Sequence, residues 1–439
     1  MEGKYGLLGE KLGHSYSPAI HALLGDYDYK LYECPKDKLD GFLTRRDFVG
    51  LNVTIPYKKA VIPYCSQLSP IAAKLGSVNV LIHRKDGTLY GDNTDAYGFS
   101  GMVAHSGIAV AGKKVLVLGS GGASATVCAV LEQLGAAQVV VISRSGENNY
   151  HNLDRHGDTD VIVNTTPVGM YPNNGVSPLD LRAFPRCSGV LDILYNPART
   201  ALMLQAEELH IPCAGGLYML VAQAKRTAEL FLDTEIADSE IVRIRDLLAR
   251  QMQNIVLIGM PGCGKTTAAA LLGKKLGRPV SDSDAAVEQA AGKPIPQIFA
   301  EEGQDAFRAL ETQALAQLGK GSAGIIATGG GCVTRRENYP PLHQNGVIFW
   351  LRRDTDRLPR EGRPISLSRD LKELEMEANS VKELYPLILE AAHSARPGTA
   401  VTLKDMDGCI VMINGVQGKK SSKLAPGDEV MLMSPVCGG

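Results

Sequence analysis

The feature that most constrains the fold is a glycine-rich turn between a strand-like apolar run and a helix-like segment. Residues 259–266 read Gly-Met-Pro-Gly-Cys-Gly-Lys-Thr and follow the run Asn-Ile-Val-Leu-Ile at 254–258. Glycines let the chain turn tightly and aim main-chain N–H groups at a phosphate beside the helix N-terminus, while a lysine reaches its oxygens and a threonine hydroxyl can ligate Mg²⁺. The alternative is an ordinary glycine-rich turn. We interpret the pattern as a phosphate-binding P-loop, carried by Gly259, Gly262, Gly264, Lys265, Thr266 and Thr267.

A second glycine-rich turn, Gly-Ser-Gly-Gly-Ala-Ser at 119–124, follows the apolar run 114–118 and precedes a helical segment that reaches Leu134. This strand–turn–helix context favours a dinucleotide site formed by Gly119, Gly121, Gly122 and Ala123, with a tight turn of any α/β protein as the alternative. The next strand ends in Ser143-Arg144, where an NAD site usually has an acidic residue. Because an arginine fork suits a 2′-phosphate, we predict NADP(H) there, unless Arg144 is simply a solvated surface residue.

Strand-like runs alternate with helical segments along most of the chain, which predicts an α/β fold with parallel sheets. The runs are 114–118, 139–143, 160–164, 189–193 and 254–258. A charged amphipathic helix at 236–253 precedes the last of them and marks a predicted domain boundary. The 439 residues suggest about three domains.

Composition excludes several classes of partner and location. The 46 Lys and Arg nearly balance the 47 Asp and Glu, so nucleic acid is a poor candidate partner. No apolar run approaches the roughly 18 residues of a membrane helix, and the first residues do not form a signal peptide. The nine cysteines are scattered and include no Cys-x-x-Cys pair. We therefore expect a protein of the reducing cytoplasm, without a membrane segment.

Clusters of hydroxyl and amide side chains surround one lysine and one aspartate before residue 100. They are Ser15-Tyr-Ser17, Asn52-Val-Thr54-Ile-Pro-Tyr-Lys58, Gly76-Ser-Val-Asn79 and Asn93-Thr-Asp95. Each cluster alone is more often a turn or a helix cap, but together they suit a small polyhydroxylated acid. With Asn164–Met170, Asp192–Pro197 and Gly215–Gln223 they resemble shikimate dehydrogenase over about residues 3–235.

The resemblance implies NADPH-dependent reduction of 3-dehydroshikimate to shikimate, with Lys58 donating the proton and Asp95 positioning both the lysine and a substrate hydroxyl. The implied substrate contacts are Ser15, Ser17, Asn52, Thr54, Asn79, Asp95, Tyr195 and Gln223. The implied cofactor contacts beyond the glycine turn are Ser143, Arg144, Thr166, Gly169, Met170 and Gly216. The segment Ser145–Asp160 is short for the family's crossover helix, so we expect an abbreviated connection.

After the P-loop the chain resembles shikimate kinase over about residues 254–377. The resemblance is carried by Ser281-Asp282-Ser-Asp284, Phe307-Arg308-x-x-Glu311, Gly329-Gly330-Gly331 and Arg363-Pro364. It implies that Asp284 accepts the proton of the attacking hydroxyl, Arg308 clamps the substrate carboxylate, Gly330 and Gly331 offer N–H groups, and Arg363 neutralises charge on the phosphoryl group. Thr266 and Asp282 would serve Mg²⁺. Asp282 and Asp284 could instead be helix-capping residues.

The chain departs from the kinase pattern after Glu377, where Ala378-Asn-Ser-Val replaces the segment that carries a second substrate arginine in the family. From Cys409 the chain reads Cys-Ile-Val-Met-Ile-Asn-Gly-Val, then a Lys/Ser loop, then Asp428-Glu-Val-Met-Leu-Met-Ser, which predicts β-rich structure with a hairpin. Residues 378–439 as a whole resemble the ubiquitin-like sulfur carriers, closest to the small subunit of molybdopterin synthase. The ending Gly438-Gly439 would imply an adenylating and sulfur-transferring partner. The alternative is a degenerate end that happens to finish in two glycines.

These observations predict four segments and two consecutive reactions. Residues 1–100, completed by helices at 216–250, form the dehydrogenase substrate domain, and 101–215 form a Rossmann NADP domain. Residues 251–377 form a shortened P-loop kinase domain, and 378–439 form a small β-grasp-like α+β tail. We expect reduction of 3-dehydroshikimate, then ATP-dependent phosphorylation of shikimate. The alternative is an active dehydrogenase with an impaired kinase and a Gly-Gly carrier or interaction module.

Overall fold

The computed structural model describes residues 4–13, 15–45, 47–353, 378–395, 410–413, 416–425, 428 and 430–433. The chain divides into two compact units, Met1–Gln253 and Asn254–Gly439. Across the described parts of both units, no helix has the length and apolar character that crossing a membrane requires.

The first lobe of the first unit is a mixed six-stranded sheet in the order β2-β1-β3-β5-β6-β4. Its strands are β1 (Tyr5–Gly9), β2 (Tyr29–Glu33), β3 (Gly50–Val53), β4 (Gln67–Leu68), β5 (Val80–His83) and β6 (Leu89–Asp92). Its helices are α1 (Ser17–Leu24), α2 (Leu39–Arg45) and α3 (Pro70–Leu75). Strands β1 to β3 are parallel, whereas β5 runs antiparallel to β3 and β6. The residues that end β3 and precede β5 therefore meet at one edge of the sheet.

The second lobe is a fully parallel five-stranded sheet in the order β11-β10-β9-β7-β8, as the alternating apolar runs predict. Its strands are β7 (Lys114–Leu118), β8 (Gln138–Ile142), β9 (Val161–Asn164), β10 (Gly189–Asp192) and β11 (Cys213–Gly215). Helices α5 (Gly122–Gln133) and α6 (Ala201–Glu208) belong to the same lobe. Between β8 and β9 there is only a 3₁₀ turn, Leu153–His156, so the expectation of an abbreviated crossover is confirmed.

Three longer helices complete this unit: α4 (Asp95–Ser106), α7 (Leu217–Leu232) and α8 (Ser239–Met252). Helices α4 and α7 pack so closely that a Cβ added to Gly98 would lie 2.7 Å from the main-chain oxygen of Met219. Helix α8 is the predicted amphipathic helix, and it buries Ile241, Ile244 and Leu248. Through α4 and α7 the two lobes share one set of supporting helices.

The second unit contains a parallel four-stranded sheet in the order β13-β14-β12-β15. Its strands are β12 (Asn254–Ile258), β13 (Val280–Asp282), β14 (Ile325–Ala327) and β15 (Gly346–Trp350). Its helices are α9 (Lys265–Leu276), α10 (Ser283–Ala291), α11 (Ile295–Leu318) and α12 (Tyr339–His343). Helix α11 is kinked at Gly303, whose φ is 84°. The carboxyl ends of β12, β13 and β14 lead directly into the segments that carry the predicted kinase residues.

The described part of the C-terminal region contains helix α13 (Val381–Ala395) and an antiparallel sheet in the order β17-β16-β18. The strands are β16 (Ile410–Ile413), β17 (Val416–Gly418) and β18 (Val430–Met433). The two runs that the sequence predicts to pair do so, since β16 and β18 are antiparallel neighbours. Strand β17 pairs antiparallel with the other edge of β16. Val381, Tyr385 and Val411 form a small buried core. Gly438-Gly439 and Arg363 lie outside the described residues.

Candidate active sites

Lys58 and Asp95, the predicted proton donor and its partner, meet at the carboxyl end of β3. Lys58 follows that strand by five residues, and Asp95 is the first residue of α4. The Lys58 amine donates to Asp95 Oδ2 at 2.5 Å, and both side chains are partly exposed. An ammonium held by one carboxylate oxygen and open to solvent on another side can give a proton to a reactant.

The other oxygen of this carboxylate is fixed from within the protein. Asn79, immediately before β5, donates from Nδ2 to Asp95 Oδ1 at 2.9 Å. The Asn79 amide oxygen accepts from the main-chain N–H of Thr94 at 2.8 Å. Asn93 accepts from the Asp95 main-chain N–H at 3.1 Å through its side-chain oxygen. The motif Asn93-Thr94-Asp95 therefore sets the carboxylate by hydrogen bonds at its main chain and at Oδ1.

A buried hydrogen-bond network continues from these residues to Asn52 on β3. Asn52 accepts from the Tyr29 hydroxyl at 2.8 Å and donates to Thr227 on α7 at 3.1 Å. Thr227 also lies 3.1 Å from the Thr94 hydroxyl. Sequence reasoning missed Tyr29 and Thr227. The only signal for Thr227 was its position one helical turn after the predicted Gln223.

The remaining predicted substrate residues lie on separate elements of the first unit. Ser17 begins α1, and its main-chain N–H donates to Ser15 Oγ at 3.2 Å. The side-chain amide of Gln223 on α7 donates to the Leu220 carbonyl at 2.9 Å. Thr54 follows β3 and donates through its main-chain N–H to Leu8 at 2.9 Å. A hydroxyl or amide is thus supplied by the start of α1, the end of β3 and α7.

Tyr195 follows β10 and packs edge-on against Tyr16, with 6.0 Å between the ring centroids. Burial raises the pKa of the Tyr195 phenol, so it stays a neutral donor at physiological pH. The structure places Tyr195 in the apolar cluster with Tyr16 and with Tyr97 on α4.

The first glycine turn has the geometry of an anion site. Gly119 has a φ of 103°, and a Cβ there would lie 3.0 Å from Thr165 Oγ1. Gly121 and Gly122 are exposed, and nothing lies within 4 Å of a Cβ added to either. Because α5 begins at Gly122, its first N–H groups face open space beside Ala123. These residues fit the pyrophosphate of a dinucleotide.

The end of β8 gives the ribose side of this site. Ser143 Oγ accepts from the Gly146 main-chain N–H at 2.7 Å, which closes a tight turn around Arg144. The Arg144 side chain is exposed. An exposed guanidinium at this point fits a 2′-phosphate, so the residues present suit NADP(H).

The segment Asn164–Met170, which carries three predicted cofactor contacts, is anchored by Asp192, which is fully buried at the end of β10. Asp192 accepts from Thr200 Oγ1 at 2.7 Å and from Asn164 Nδ2 at 3.1 Å. Asn164 Oδ1 in turn accepts from the main-chain N–H of Thr166 at 3.0 Å and from its hydroxyl at 2.7 Å. Burial raises the pKa of Asp192 to about 6 despite these hydrogen bonds. The network fixes where the loop leaves the sheet.

Two glycines of this region lie where a side chain would not fit. A Cβ on Gly216 would lie 1.9 Å from the carbonyl oxygen of Ile193. Gly169 has a φ of 86°, and a Cβ there would lie 2.8 Å from the Val176 carbonyl. The adjacent Met170 is 42% exposed.

The P-loop of the second unit has the predicted backbone. Gly259, Gly262 and Gly264 all have positive φ, at 145°, 78° and 99°. Helix α9 begins with Lys265, whose buried amine donates to the carbonyls of Gly259 at 2.8 Å and Met260 at 3.0 Å. This amine is held at the mouth of the loop where phosphate oxygens would lie. Residues 266 and 267 follow on the first turn of α9 and are exposed.

Thr266 and Asp282 come together beside the P-loop. The Thr266 hydroxyl donates to Asp282 Oδ2 at 3.1 Å, and Asp282 Oδ1 caps α10 by accepting from the Asp284 main-chain N–H at 2.9 Å. Asp282 is therefore a capping residue and still offers one oxygen to the site. Within the described segments, no three His, Cys, Asp or Glu side chains cluster as metal ligands. One hydroxyl and one carboxylate nevertheless fit Mg²⁺, which keeps most of its water ligands when it binds to a nucleotide.

The predicted shikimate residues of the kinase unit converge on the loop after β14. Arg308 on α11 donates to Glu311 Oε2 at 2.6 Å, and both side chains are buried. A Cβ on Gly331 would lie 2.2 Å from Arg308 Nη2, so the guanidinium lies directly under the main chain there. A Cβ on Gly330 would lie 2.5 Å from the ring of Pro261. The glycine run thus brings α11 and the P-loop to one place.

Two carboxylates face the first glycine of this run. A Cβ on Gly329 would lie 2.6 Å from Asp284 Oδ1 and 2.8 Å from Glu311 Oε1. Both oxygens are buried, and neither has a hydrogen-bond partner among the described residues. Burial, followed by the charges of Asp282 and Glu311, raises the pKa of Asp284 to about 6. Sequence reasoning assigned no role to Glu311, although it lies in the Phe-Arg-x-x-Glu motif.

The comparisons with known proteins agree with the first site. The chain is 34% identical over 251 residues to the shikimate dehydrogenase (NADP(+)) of Clostridium beijerinckii, an alignment that covers 53% of this chain and 93% of that protein. The chain belongs to the shikimate dehydrogenase family. Residues 7–81 match the family model of the shikimate dehydrogenase substrate binding domain.

Solved structures of the family resemble the same part of the chain. A chorismate mutase/shikimate 5-dehydrogenase fusion protein from Clostridium acetobutylicum matches with a TM-score of 0.54 and 36% identity, covering 57% of this chain and 98% of that one. Shikimate 5-dehydrogenase from Thermus thermophilus in complex with NADP(H) and shikimate matches with a TM-score of 0.51 and 29% identity, covering 56% and 99%. The predicted dehydrogenase module is thereby confirmed.

The second unit has a separate family match. Residues 261–399 match the family model of shikimate kinase, which confirms the predicted fusion of dehydrogenase and kinase modules. The match extends beyond Glu377, the predicted end of the kinase domain, and includes α13 (Val381–Ala395).

Proposed function

We propose that this chain is a bifunctional enzyme that reduces 3-dehydroshikimate to shikimate with NADPH and then phosphorylates shikimate with ATP to shikimate 3-phosphate. The observation that carries the first activity is the Lys58–Asp95 ion pair, with Asn79 on the second carboxylate oxygen. Relatives named shikimate dehydrogenase (NADP(+)) and the kinase family match support the pair of activities.

In the first reaction the bound cofactor would supply hydride to the substrate carbonyl carbon. Lys58 would give its proton to the carbonyl oxygen as negative charge develops there. Asp95 would hold the ammonium beside that oxygen through Oδ2 and would accept from a neighbouring substrate hydroxyl. Placing the donor in advance removes the cost of orienting it during the reaction, and such general acids contribute about 10²- to 10⁴-fold in rate.

The rest of the substrate would be held by neutral polar groups. Ser15 and Ser17 at the start of α1 would bind the carboxylate, while Thr54 and Gln223 would bind ring hydroxyls. Asn52, Asn79 and Tyr195 would complete the lining. The network behind Asn52 supports this assignment, because an amide whose other hydrogen bonds are satisfied presents its remaining donor in one direction.

NADP(H) would lie across the Gly119–Ala123 turn with its 2′-phosphate on Arg144 and Ser143. Thr166, Gly169, Met170 and Gly216 would border the nicotinamide. The open space at Gly121 and Gly122 supports the pyrophosphate position.

In the second reaction Asp284 would accept the proton of the attacking shikimate hydroxyl, since one of its oxygens is buried and lacks a hydrogen-bond partner in the described structure. Arg308 would clamp the substrate carboxylate, and the main-chain N–H groups of Gly330 and Gly331 would bind the ring substituents. Lys265 would move from the P-loop carbonyls to the phosphate oxygens. Arg363 is proposed from the sequence alone to neutralise the transferring phosphoryl group.

The nucleotide would occupy the P-loop, with Gly259, Gly262, Gly264, Thr266 and Thr267 donating from the loop and the first turn of α9. Mg²⁺, when bound, would neutralise part of the negative charge of the phosphates. Thr266 and Asp282 would hold it from the protein side, which their 3.1 Å contact supports.

Two absorbance assays test the proposal on the full chain. Mixing it with 3-dehydroshikimate and NADPH should deplete the reduced cofactor, and an ATP-coupled assay with shikimate should release ADP. Loss of absorbance only with NADH, or none with either cofactor, would refute the dehydrogenase assignment. ADP release that does not depend on shikimate would refute the kinase assignment and leave the alternative of a dehydrogenase with an impaired kinase.

A second candidate function, a ubiquitin-like sulfur carrier, is proposed for residues 378–439, of which 378–399 also lie within the kinase family match. It is favoured by a helix that packs on an antiparallel sheet. Leu424 donates to the Asn379 carbonyl at 3.0 Å and Val381 to the Ser422 carbonyl at 3.1 Å, so α13 is tied to the hairpin region. The terminal Gly438-Gly439 would thread into the active site of an adenylating partner, which bulkier side chains would prevent.

The intact mass of the chain tests this second function. After incubation with an adenylating enzyme and a sulfur donor, a carrier should gain the mass difference of one sulfur-for-oxygen exchange at Gly439. A variant in which Gly439 is deleted provides the control and should gain nothing. An unchanged mass for the full chain would contradict the carrier assignment.

A further inference from the structure

The hydroxyl of Thr227 lies at the centre of the polar network behind the dehydrogenase site. Thr227 is fully buried on α7. Its oxygen lies 3.1 Å from Asn52 Nδ2, 3.1 Å from the Thr94 hydroxyl and 2.9 Å from the Gln223 carbonyl. A threonine hydroxyl has one proton to donate and two lone pairs to accept, so these three contacts use its full capacity.

The direction of each of these hydrogen bonds follows from the chemistry of the partners. The Gln223 carbonyl can only accept, so the Thr227 proton points to it. The Thr94 hydroxyl must then donate to Thr227, which leaves its own oxygen free to accept from Asn79 Nδ2 at 3.2 Å. The Thr94 hydroxyl also lies near Asn79 Oδ1, but that contact is longer, at 3.4 Å.

This order extends to the catalytic pair. One proton of the Asn79 amide goes to Thr94, and the other goes to Asp95 Oδ1 at 2.9 Å. Asp95 Oδ2 is then the oxygen that meets Lys58. Between Thr227 and Lys58, each donated proton therefore has one assigned acceptor. The Asn79 amide accordingly has only one orientation, in which its nitrogen faces the Asp95 carboxylate.

The network also extends from Thr227 to strands β3 and β2. The same Thr227 oxygen accepts from Asn52, whose own oxygen accepts from Tyr29 at 2.8 Å. Thr227 therefore joins β3, the start of α4 and α7 through one atom. Its partners Asn52, Asn79 and Thr94 are 5%, 3% and 1% exposed, so water cannot replace a lost partner without rearrangement.

We propose that Thr227 is a positioning residue of the dehydrogenase, acting through Thr94 and Asn79 on the orientation of Asp95 and hence on the Lys58 proton donor. The proposal rests on the dehydrogenase function proposed above. Loss of the hydroxyl leaves the Asn52 amide without its acceptor and lets the Thr94 hydroxyl turn toward Asn79 Oδ1. Asn79 and the Asp95 carboxylate that it holds are then less firmly placed, and a displacement of about 1 Å at a reacting group can cost 10²-fold in rate.

The decisive variant is Thr227→Val, which keeps the shape of the side chain and removes only the hydroxyl. We expect kcat for 3-dehydroshikimate reduction to fall about 10- to 100-fold, with KM for NADPH unchanged. The pH dependence of kcat should also change, because the Asp95 carboxylate is held less firmly beside the proton donor. Thr227→Ser keeps the hydroxyl and should retain kcat within about twofold.

Thr159→Val is the matched control. Thr159 is also fully buried, and its hydroxyl donates to a main-chain carbonyl, that of His156, at 2.7 Å. Thr159 lies just before β9 in the second lobe and takes no part in the hydrogen-bond network of Thr227. Its replacement should lower Tm by an amount comparable to that of Thr227→Val and leave kcat and the pH profile unchanged.

Several outcomes overturn the proposal. A folded Thr227→Val with the kcat and pH profile of the unmodified chain would do so, as would an equal loss of kcat in Thr159→Val. If Thr227→Val does not fold, Thr227→Cys takes its place, because a thiol fills the space but is a weak donor, and a kcat equal to that of Thr227→Ser would refute the idea. An unmodified chain that does not reduce 3-dehydroshikimate is a different result, which refutes the proposed function itself.

Discussion

Replacing Lys58 by alanine is the sharpest test of the dehydrogenase chemistry. The lysine amine lies 2.5 Å from Asp95 Oδ2, and its side chain is 31% exposed. Asp95 keeps its orientation in the variant, because Asn79 still donates to Oδ1 at 2.9 Å. The loss therefore concerns the proton donor and not the shape of the site.

The size of the effect follows from this geometry. A positioned general acid contributes about 10²- to 10⁴-fold. Because the lysine is partly exposed, water can enter the space left by Lys58→Ala and donate weakly, so we expect the lower part of that range. A fall in kcat of about 10²- to 10³-fold corresponds to about 3–4 kcal/mol of transition-state stabilisation.

The assay is steady-state NADPH oxidation with 3-dehydroshikimate, together with a direct measurement of NADPH affinity. Most of the predicted cofactor residues belong to the second lobe, so Kd for NADPH should be nearly unchanged. Asp95→Ala and the double variant complete a cycle, and the double variant should lose little more than Lys58→Ala, because the two groups act as a unit. Equal losses of kcat and NADPH affinity, or strictly additive losses in the cycle, would refute the reasoning.

Three further predictions concern the cofactor and the kinase site. Arg144→Ala should raise KM for NADPH about tenfold or more and leave KM for NADH unchanged, since a charged hydrogen bond to a 2′-phosphate is worth about 1.5–3 kcal/mol; equal effects on both cofactors would contradict the assignment. Gly329→Ala should lower kinase kcat/KM at least about 10²-fold without affecting the dehydrogenase, because the added Cβ would lie 2.6 Å from Asp284 Oδ1. The control is Gly321→Ala, whose Cβ would lie 3.5 Å from the nearest atom and which should affect neither activity. Burial raises the pKa of Asp284 to about 6, and only the ionised carboxylate can accept a proton. Kinase kcat/KM should therefore fall about tenfold per pH unit below pH 6 and level off above it. A profile that is flat from pH 5 to 8 would exclude Asp284 as the base.

The glycine turns could be predicted from the sequence because their structure is local. Gly119 and Gly264 have φ values of 103° and 99°, which other residues rarely adopt, and each lies between a strand and a helix whose patterns are visible within a few residues. The Lys58–Asp95 pair was expected only through the resemblance to a family. Nothing in local spacing indicates that two residues 37 positions apart lie 2.5 Å from each other.

The parts that sequence reasoning missed depend on contacts between distant segments. Thr94 and Thr227 are 133 residues apart, and Asn52 and Thr227 are 175 apart. A threonine on a helix has no pattern that identifies a buried polar partner, because its role depends on which strand ends face it. Two oxygens of Asp284 and Glu311 have no hydrogen-bond partner among the residues that the structure describes, and their closeness emerges only when α10, α11 and the Gly329 loop are packed together.

The sequence by itself determined the two glycine-rich turns, the alternation of strands and helices and the C-terminal hairpin. Each of these is dictated by the backbone preferences and periodicity of neighbouring residues. Only the tertiary structure decided how Asp95 is oriented, which residue joins the walls of the dehydrogenase site, and how closely Gly329 approaches two carboxylates. The physical reason is that hydrogen bonds and close packing in the interior act between side chains brought together by the fold, and their direction depends on atoms from several elements at once.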